Sequence, residues 1–176
     1  MAESSLLPGG YISTDGSQIV DANGHDVRIA SIGWNENFTD IPGSVAQMAA
    51  DGFNTIRVSW VDATLSADLP RIEQIVAAAA ANGIKVILDH HTDEAGTAAD
   101  GYGAQQVNGL WFDSGPGTDG TNGAGVPDTV TAAQFQADWA TVAQAFAGNS
   151  SALTTNDPPS LTGIDPLTCF LSGVSR

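Results

Sequence analysis

Two stretches of the chain repeat one order of hydrophobic and polar positions: an amphipathic segment, then a glycine, then an almost continuous apolar run. Gly52 precedes the run 53–60, and Gly83 precedes the run 84–88. A glycine after an amphipathic segment is typical of a helix C-terminus, and a short apolar run rich in β-branched residues indicates a strand buried on both faces. The repeat has about the length of one strand-helix unit, so it predicts an α/β fold with a parallel sheet.

The same patterns predict the other elements around this repeat. We expect strands over 27–33, 53–60 and from Ile84 onward, and helices over 42–51 with Ser44 as N-cap, over 68–82 with Pro70 in the first turn, and from Thr131 to Gly148. The third helix begins with a capping-box pattern. It then carries a core-facing apolar stripe, which consists of Phe135, Trp139, Val142 and Phe146.

Three further segments complete the predicted organisation. Asp-Gly at 15–16 and Asn-Gly at 23–24 predict a small antiparallel ribbon ahead of the main fold. The segment 95–130 is polar and glycine-rich around an apolar island at 109–112, which favours a functional loop. The segment 150–159 is too polar and too rich in proline for a central strand, so we expect no fourth strand there.

Composition and charge limit the classes of partner. The sequence of 176 residues has 20 Asp and Glu against 5 Lys and Arg, a formal net charge of -15. Such a surface repels phosphate backbones and anionic lipid, so we expect no nucleic-acid or membrane partner. The single Cys169 leaves the redox compartment open. The start of the chain, 1–5, has neither the basic nor the apolar region of a signal peptide, and no dinucleotide-binding glycine motif follows the first strand.

Side-chain alternation sorts the polar residues of the second and third strands. Arg57 and His91 lie on the less apolar faces, and in a barrel this face points inward. Both are then expected near the carboxyl ends of neighbouring strands, where barrel active sites form. A buried salt bridge from Arg57 to Asp89 is the alternative. His90 and His91 point to opposite faces, which argues against a shared metal ion.

Five short motifs follow one another along the chain in a recognisable order. They are Trp34 after the first strand, Ile56-Arg57 on the second, Asp89-His90-His91 after Val86-Ile87-Leu88 on the third, Gly109-Leu110-Trp111-Phe112 in the long loop, and Ala147-Gly148-Asn149 at the end of the third helix. Taken together they resemble glycoside hydrolase family 5, the cellulase-like TIM barrels.

The resemblance implies an α/β fold that is an incomplete (β/α)8 TIM barrel. It would comprise roughly the first three to four β/α units, preceded by an N-terminal β-hairpin. On this basis we expect a flexible N-terminus over 1–9, the N-terminal part of a catalytic domain over 10–149 and an atypical tail over 150–176.

The resemblance also implies roles for single residues. Arg57 would be the arginine of the second strand and His91 the histidine of the third, and both would support the active site. Trp34 and Trp111 would stack on sugar rings. The implied activity is that of a retaining endo-β-1,4-glucanase acting on β-glucan or a related polysaccharide, without a cofactor or metal, in a secreted or extracellular protein.

The two catalytic glutamates of the family are not matched in this sequence. They stand in an Asn-Glu-Pro motif that ends strand four and at the end of strand seven, whereas the glutamates here are Glu3, Glu36, Glu73 and Glu94. Glu36, Glu94 and Asp157 remain as weak catalytic candidates. Retaining cleavage needs two carboxyl groups about 5 Å apart, so we expect a chain truncated before the chemistry and inactive alone.

Two other functions stay open. A non-catalytic carbohydrate-binding protein would use aromatic faces for stacking, and the candidates are Trp34, Tyr102, Trp111 and Phe112. A metal-dependent hydrolase would use His90, His91, Asp93 and Glu94, although adjacent histidines on one strand do not converge on one ion without a bulge.

Overall fold

The computed structural model describes residues 10–92 and 130–153. Within these ranges the elements, in chain order, are β1 (Ser13–Asp15), β2 (Gln18–Val20), β3 (Ser31–Gly33), α1 (Ile41–Ala50), β4 (Thr55–Val61), a short 3₁₀ helix (Asp62–Thr64), α2 (Leu65–Ala81), β5 (Lys85–Thr92), α3 (Ala132–Ala145) and β6 (Ala152–Leu153). No helix in the described part of the chain has both the length and the apolar character needed to cross a membrane.

The strands form two sheets. Strands β1 and β2 pair antiparallel as a ribbon, and the other four strands form one sheet in the order β3-β4-β5-β6. The pair β3 and β4 is parallel, with Ser31 beside Thr55 and Gly33 beside Arg57. The pair β5 and β6 is also parallel. Strand order that follows chain order, with helices between parallel strands, is the arrangement that the sequence repeat predicts.

Helices α1 and α2, which belong to the two copies of the repeat, end in the same backbone conformation. Gly52 after α1 has φ +88° and Gly83 after α2 has φ +68°, a backbone conformation that favours glycine. In both places the next residue donates its N–H to a carbonyl five residues back, Phe53 to Met48 at 3.0 Å and Ile84 to Ala79 at 2.9 Å. This pattern satisfies carbonyls at the helix end and directs the chain into β4 and β5.

A buried polar residue two positions after each of these glycines anchors the strand start. Asn54 donates from Nδ2 to the Arg28 carbonyl at 2.8 Å, and its Oδ1 accepts the Ala30 N–H at 2.8 Å. Lys85 is 3% exposed and donates from Nζ to the carbonyls of Gly10, at 2.5 Å, and Ser150, at 2.8 Å. Burial lowers the pKa of Lys85, and these two carbonyls solvate its ammonium group.

The expectation of no fourth strand is wrong. Ala152 and Leu153 form β6 and pair parallel with Val86 and Ile87 of β5. The N–H of Val86 also donates to the Ser151 carbonyl at 2.7 Å. The polar and proline-rich composition of 150–159 does not prevent two of its residues from joining the ladder.

Two predicted helix starts and the first predicted strand also differ from the structure. Helix α1 is capped by Asp40, whose side chain accepts the Gly43 N–H at 3.1 Å, and not by Ser44, which already lies inside the helix. Helix α2 begins at Leu65, so Pro70 lies inside it. Leu65 is 3% exposed, and its burial extends the apolar stripe one turn ahead of the predicted start. Of the predicted strand 27–33, β3 occupies only the last three residues.

The contacts of the chain divide into two compact units. In the described residues, the first comprises 10–58, 71–88 and 146–153, and the second 59–70, 89–92 and 130–145. The buried side chains of the first unit include Val45, Ile56, Val58, Ile72, Val76, Ile84 and Val86. Those of the second include Trp60, Leu65 and Val142.

Candidate functional site

In the first unit, the end of β3 joins two of the predicted site residues. Gly33, the last residue of β3, lies beside Arg57, and the N–H of the following Trp34 donates to the Arg57 carbonyl at 2.8 Å. Arg57 is exposed, so it is not the buried ion of a salt bridge. No described heavy atom lies within 4 Å of the position that a Cβ of Gly33 would take. We call Gly33, Trp34 and Arg57 the Arg57 edge.

Arg57 lies deeper in its strand than the sequence predicts. It is the third of seven residues of β4, which continues to Val61, whereas the prediction placed it near the carboxyl end. It is nevertheless level with the carboxyl end of β3, since β3 stops at Gly33. Within the Arg57 edge, Gly33 and Arg57 are exposed and Trp34 is half-buried.

The loop after β3 fixes the position of Trp34. Its indole packs against the ring of Phe38 in a T-shaped arrangement, with ring centroids 5.2 Å apart. The Phe38 N–H donates to the Asn35 carbonyl at 3.0 Å, and the Asn37 N–H donates to Asn35 Oδ1 at 2.9 Å. The Trp34 Nε1 atom is buried and has no hydrogen-bond partner among the described residues. The indole is thus held half-buried with one polar atom unused.

Glu36, a weak catalytic candidate, has a different contact. Its carboxylate forms an ion pair with Arg71 of α2, and the two side chains are 67% and 30% exposed. A partly exposed pair of this kind ties the loop after β3 to α2, although such pairs contribute little stability. This geometry supports a structural role for Glu36.

In the second unit, the end of β5 presents Asp89 and His91. The His91 side chain is 53% exposed and that of Asp89 is 28% exposed. His91 Nδ1 lies 3.2 Å from Asp89 Oδ2, so the carboxylate orients the ring and leaves Nε2 directed elsewhere. His91 therefore has the exposure and the oriented ring that an active-site supporting residue needs.

His90 points to the opposite face, as strand alternation predicts, and is buried. Its side chain is 4% exposed and its Nε2 hydrogen-bonds to Oδ2 of Asp62, whose side chain is 0% exposed. Three aromatic rings surround the imidazole, with centroids 4.5 Å away for Trp60, 5.2 Å for Phe135 and 6.0 Å for Trp139. His90 is thus a packed core residue.

Asp138 of α3 completes this buried group. Its Oδ1 accepts a hydrogen bond from the Gln134 side-chain amide at 2.8 Å, and its carboxyl group lies next to that of Asp62. Burial raises the pKa of Asp138, and the Asp62 carboxyl raises it further, whereas Gln134 and His90 act in the opposite direction. We call His90, Asp62 and Asp138 the buried triad.

The remaining predicted residues lie outside the described ranges. These are Trp111 and the other residues of the aromatic island, Tyr102, Asp93, Glu94, Asp157 and the segments 1–9 and 154–176. Among the residues that the structure does describe, no three His, Cys, Asp or Glu side chains are grouped so that they could hold a metal ion. The metal-dependent hypothesis therefore gains no support from the described residues, which include His90 and His91.

Sequence reasoning missed the buried triad. A histidine on the apolar face of β5 was a signal that a polar partner must be buried beside it. Asp138, next to Trp139 within the stripe of α3, was a second signal. Asp62 gave no signal, because the 3₁₀ helix that places it after β4 was not predicted.

Comparison with known families identifies the chain. The model of the cellulase family, glycosyl hydrolase family 5, matches residues 20–156, which is most of the chain. The four strands of the main sheet, the exposed Arg57 and the Asp89-His90-His91 sequence all fall in the matched range. The chain belongs to glycosyl hydrolase family 5.

One solved structure similar to this chain is an endocellulase from Pyrococcus horikoshii, determined as a complex with cellotetraose. The two share 17% sequence identity with a TM-score of 0.54, and the match covers 88% of this chain and 47% of the endocellulase. The chain thus spans about half the length of that structure. At this identity the likeness supports the fold, and the parallel α/β sheet fits a partial TIM barrel.

Proposed function

We propose that this chain is the first three to four β/α units of an endo-β-1,4-glucanase-like domain, that it binds β-linked glucan, and that it does not hydrolyse glucan alone. The observation that carries the proposal is the Arg57 edge, where an exposed arginine and a tryptophan are joined by one backbone hydrogen bond. An indole face stacks on the apolar face of a sugar ring. A guanidinium group donates several hydrogen bonds in a fixed plane to hydroxyl groups.

The second unit supports the same proposal with a different chemistry. His91 and Asp89 are both accessible to solvent and linked at 3.2 Å. An exposed imidazole oriented by a carboxylate can position a sugar hydroxyl or the carboxyl group of a catalytic residue. We assign His91 to substrate positioning, with Asp89 as the residue that sets its tautomer.

The absence of hydrolysis follows from the carboxylates that the sequence supplies. No glutamate follows Glu94, and Glu36 pairs with Arg71. Retaining cleavage requires an acid/base and a nucleophile on either side of the bond. We expect the purified chain to release reducing sugar from carboxymethyl cellulose no faster than buffer without protein does. Turnover that disappears in Glu36→Gln or Glu94→Gln would contradict this part of the proposal.

Glucan binding is tested by native electrophoresis in gels that contain soluble β-glucan. We expect the wild-type chain to be retarded and Trp34→Ala to migrate as it does without glucan. Ile19→Ala is the matched control, because Ile19 is an exposed apolar residue of β2, 39% exposed, in the same unit. Equal retardation of all three proteins would contradict a role for Trp34.

A further inference from the structure

A group of titratable side chains is buried where the proposed function has no use for it. The His90 and Asp62 side chains are 4% and 0% exposed, and Asp138 is 8% exposed. They lie on the face of β5 opposite to His91. Burying ionisable groups is costly unless they are paired and hydrogen-bonded, so specific contacts must compensate the burial of these three side chains.

Two carboxyl oxygens of this group lack an ordinary donor. Asp62 Oδ1 and Asp138 Oδ2 are buried and accept no N–H or O–H hydrogen bond from the described residues. The other oxygens are occupied, since Asp62 Oδ2 bonds to His90 and Asp138 Oδ1 accepts from Gln134. The two carboxyl groups lie next to one another, where α3 packs against the 3₁₀ helix. Two ionised carboxylates only accept, so a hydrogen bond between them requires a proton.

The surroundings determine which side chain keeps the proton. Asp62 Oδ2 is already occupied by the His90 ring. Asp138 faces Asp62 from the 3₁₀ helix, His90 from β5 and Gln134 from its own helix. Burial and the nearby Asp62 carboxyl both raise the pKa of Asp138, which is the direction that a retained proton needs.

We propose that Asp138 and Asp62 share one proton, and that this pair acts through His90 as a positioning device for Asp89 and His91 at the end of β5. Asp138 donates the shared proton to Asp62 Oδ1. Asp62 in turn holds the His90 ring, which three aromatic rings confine. Asp89 and His91 are the chain neighbours of His90, so the ring fixes the backbone from which both project.

Loss of the shared proton changes this arrangement. Deprotonation transfers the proton to solvent and leaves two carboxylates in contact within the core. Like charges at this distance repel strongly in a low-dielectric interior. The pair then separates, the His90 ring loses its fixed partner, and the orientation of the adjacent Asp89 and His91 changes. The end of β5 is therefore ordered only while the proton is retained.

Carboxyl ¹³C NMR titration of the 18.0 kDa chain tests the proposal in the wild-type protein. We expect the Asp138 ¹³Cγ resonance to titrate above the usual aspartate range. We also expect the His91 ring resonances to show a second inflection at the pH where Asp138 titrates. Asp138 titrating in the usual range, or a His91 curve with one inflection, would overturn the proposal.

A matched pair of variants separates this effect from general destabilisation. Gln47 and Asp51 repeat the spacing of Gln134 and Asp138 on α1, with the amide donating to the carboxylate at 2.9 Å, but they are exposed. Asp138→Asn imitates the protonated side chain, so we expect it to abolish the second His91 inflection. We expect Asp51→Asn to retain it. Retention of the inflection in Asp138→Asn would also overturn the proposal.

The link to glucan rests on the proposed function and has its own readout. We expect wild-type affinity for soluble β-glucan to fall severalfold as the pH rises through the Asp138 titration. We expect the affinity of Asp138→Asn to stay constant over that range. If no variant binds glucan at any pH while the two NMR inflections persist, the proposed function fails and the proton-sharing device stands.

Discussion

The Nε2 atom of His90 hydrogen-bonds to Oδ2 of Asp62 in the interior of the second unit. Replacing His90 with Ala removes this bond, leaves a buried carboxylate without its partner and opens a space among three aromatic rings. We expect a loss of about 3 kcal/mol in the free energy of unfolding, measured by urea denaturation. His91→Ala is the control, since its side chain is 53% exposed and surface pairs contribute less than about 1 kcal/mol. Equal losses for the two histidines would contradict the assigned faces.

The position of the α1 N-cap can be tested with two residues that lie close together in the sequence, Asp40 and Ser44. Asp40 accepts the Gly43 N–H, whereas Ser44 lies inside the helix. We expect Asp40→Ala to cost about 1 kcal/mol of stability and Ser44→Ala to change it by less than about 0.5 kcal/mol. Thermal unfolding followed by circular dichroism measures both. The reverse order would show that the helix starts one turn later.

Lys85 is the single lysine of the sequence, so its burial is testable by chemical labelling. Its Nζ is held by two backbone carbonyls and the residue is 3% exposed. We expect an amine-acylating reagent to modify Lys85 at least tenfold more slowly in the native chain than in urea. Mass spectrometry of the labelled peptides measures the ratio. Equal rates in the native and the unfolded chain would mean that the Lys85 ammonium group is accessible in the folded protein.

Burial also predicts how Lys85 affects stability with pH. Its folded pKa is lowered from 10.5, so the unfolded chain binds the proton more tightly than the native one. Stability therefore rises as the pH increases from the lowered pKa towards 10.5. We expect Lys85→Met to lack this rise, when both proteins are unfolded in urea across that pH range. Parallel curves for the two proteins would contradict the burial of the charge.

Asp21 makes the stability of the protein depend on pH in the acid range. Its Oδ1 accepts the N–H groups of His25, at 2.9 Å, and Asn23, at 2.8 Å, and the hydrogen bond from the His25 backbone is the largest cause of its lowered pKa. The ionised form is thus stabilised in the native state. This contribution is complete above pH 3.8 and is lost as the pH falls through the lowered pKa. We expect Asp21→Asn to remove this part of the acid transition. Asp15→Asn, in the exposed strand β1, should leave it unchanged.

The sequence predicts the α/β class and the helix endings because both depend on local signals. Gly52 and Gly83 terminate helices in a conformation that other residues adopt at a cost, and the apolar runs after them have no alternative to burial. The faces of β5 followed from alternation alone, and His90 and His91 lie on opposite faces as predicted.

The features that the sequence did not predict depend on long-range contacts. Strand β6 is two residues long and exists because β5 offers an open edge at Val86 and Ile87. The partner of His90 lies 28 residues earlier in the chain, and no local pattern links Asp62 to that strand. Glu36 was considered as a carboxylate at a strand end, and only the packing of α2 brings Arg71 to it.

The position of Arg57 illustrates the same limit for the candidate site. Its face follows from alternation, but its exposure and its pairing with the last residue of β3 do not. The range that matches the cellulase family, residues 20–156, includes Arg57. What the residue binds is decided by a ligand experiment.

The most direct measurement is a ¹⁵N–¹H NMR titration of the chain with cellotetraose. We predict that the Trp34 Nε1–H, the Gly33 backbone amide and the Arg57 Nε–H shift together with one dissociation constant. In Trp34→Ala we predict that cellotetraose no longer shifts the Gly33 and Arg57 signals, while the spectrum stays that of a folded chain. Unchanged spectra at saturating cellotetraose, or shifts that persist in Trp34→Ala, would contradict the claim that the Arg57 edge binds glucan.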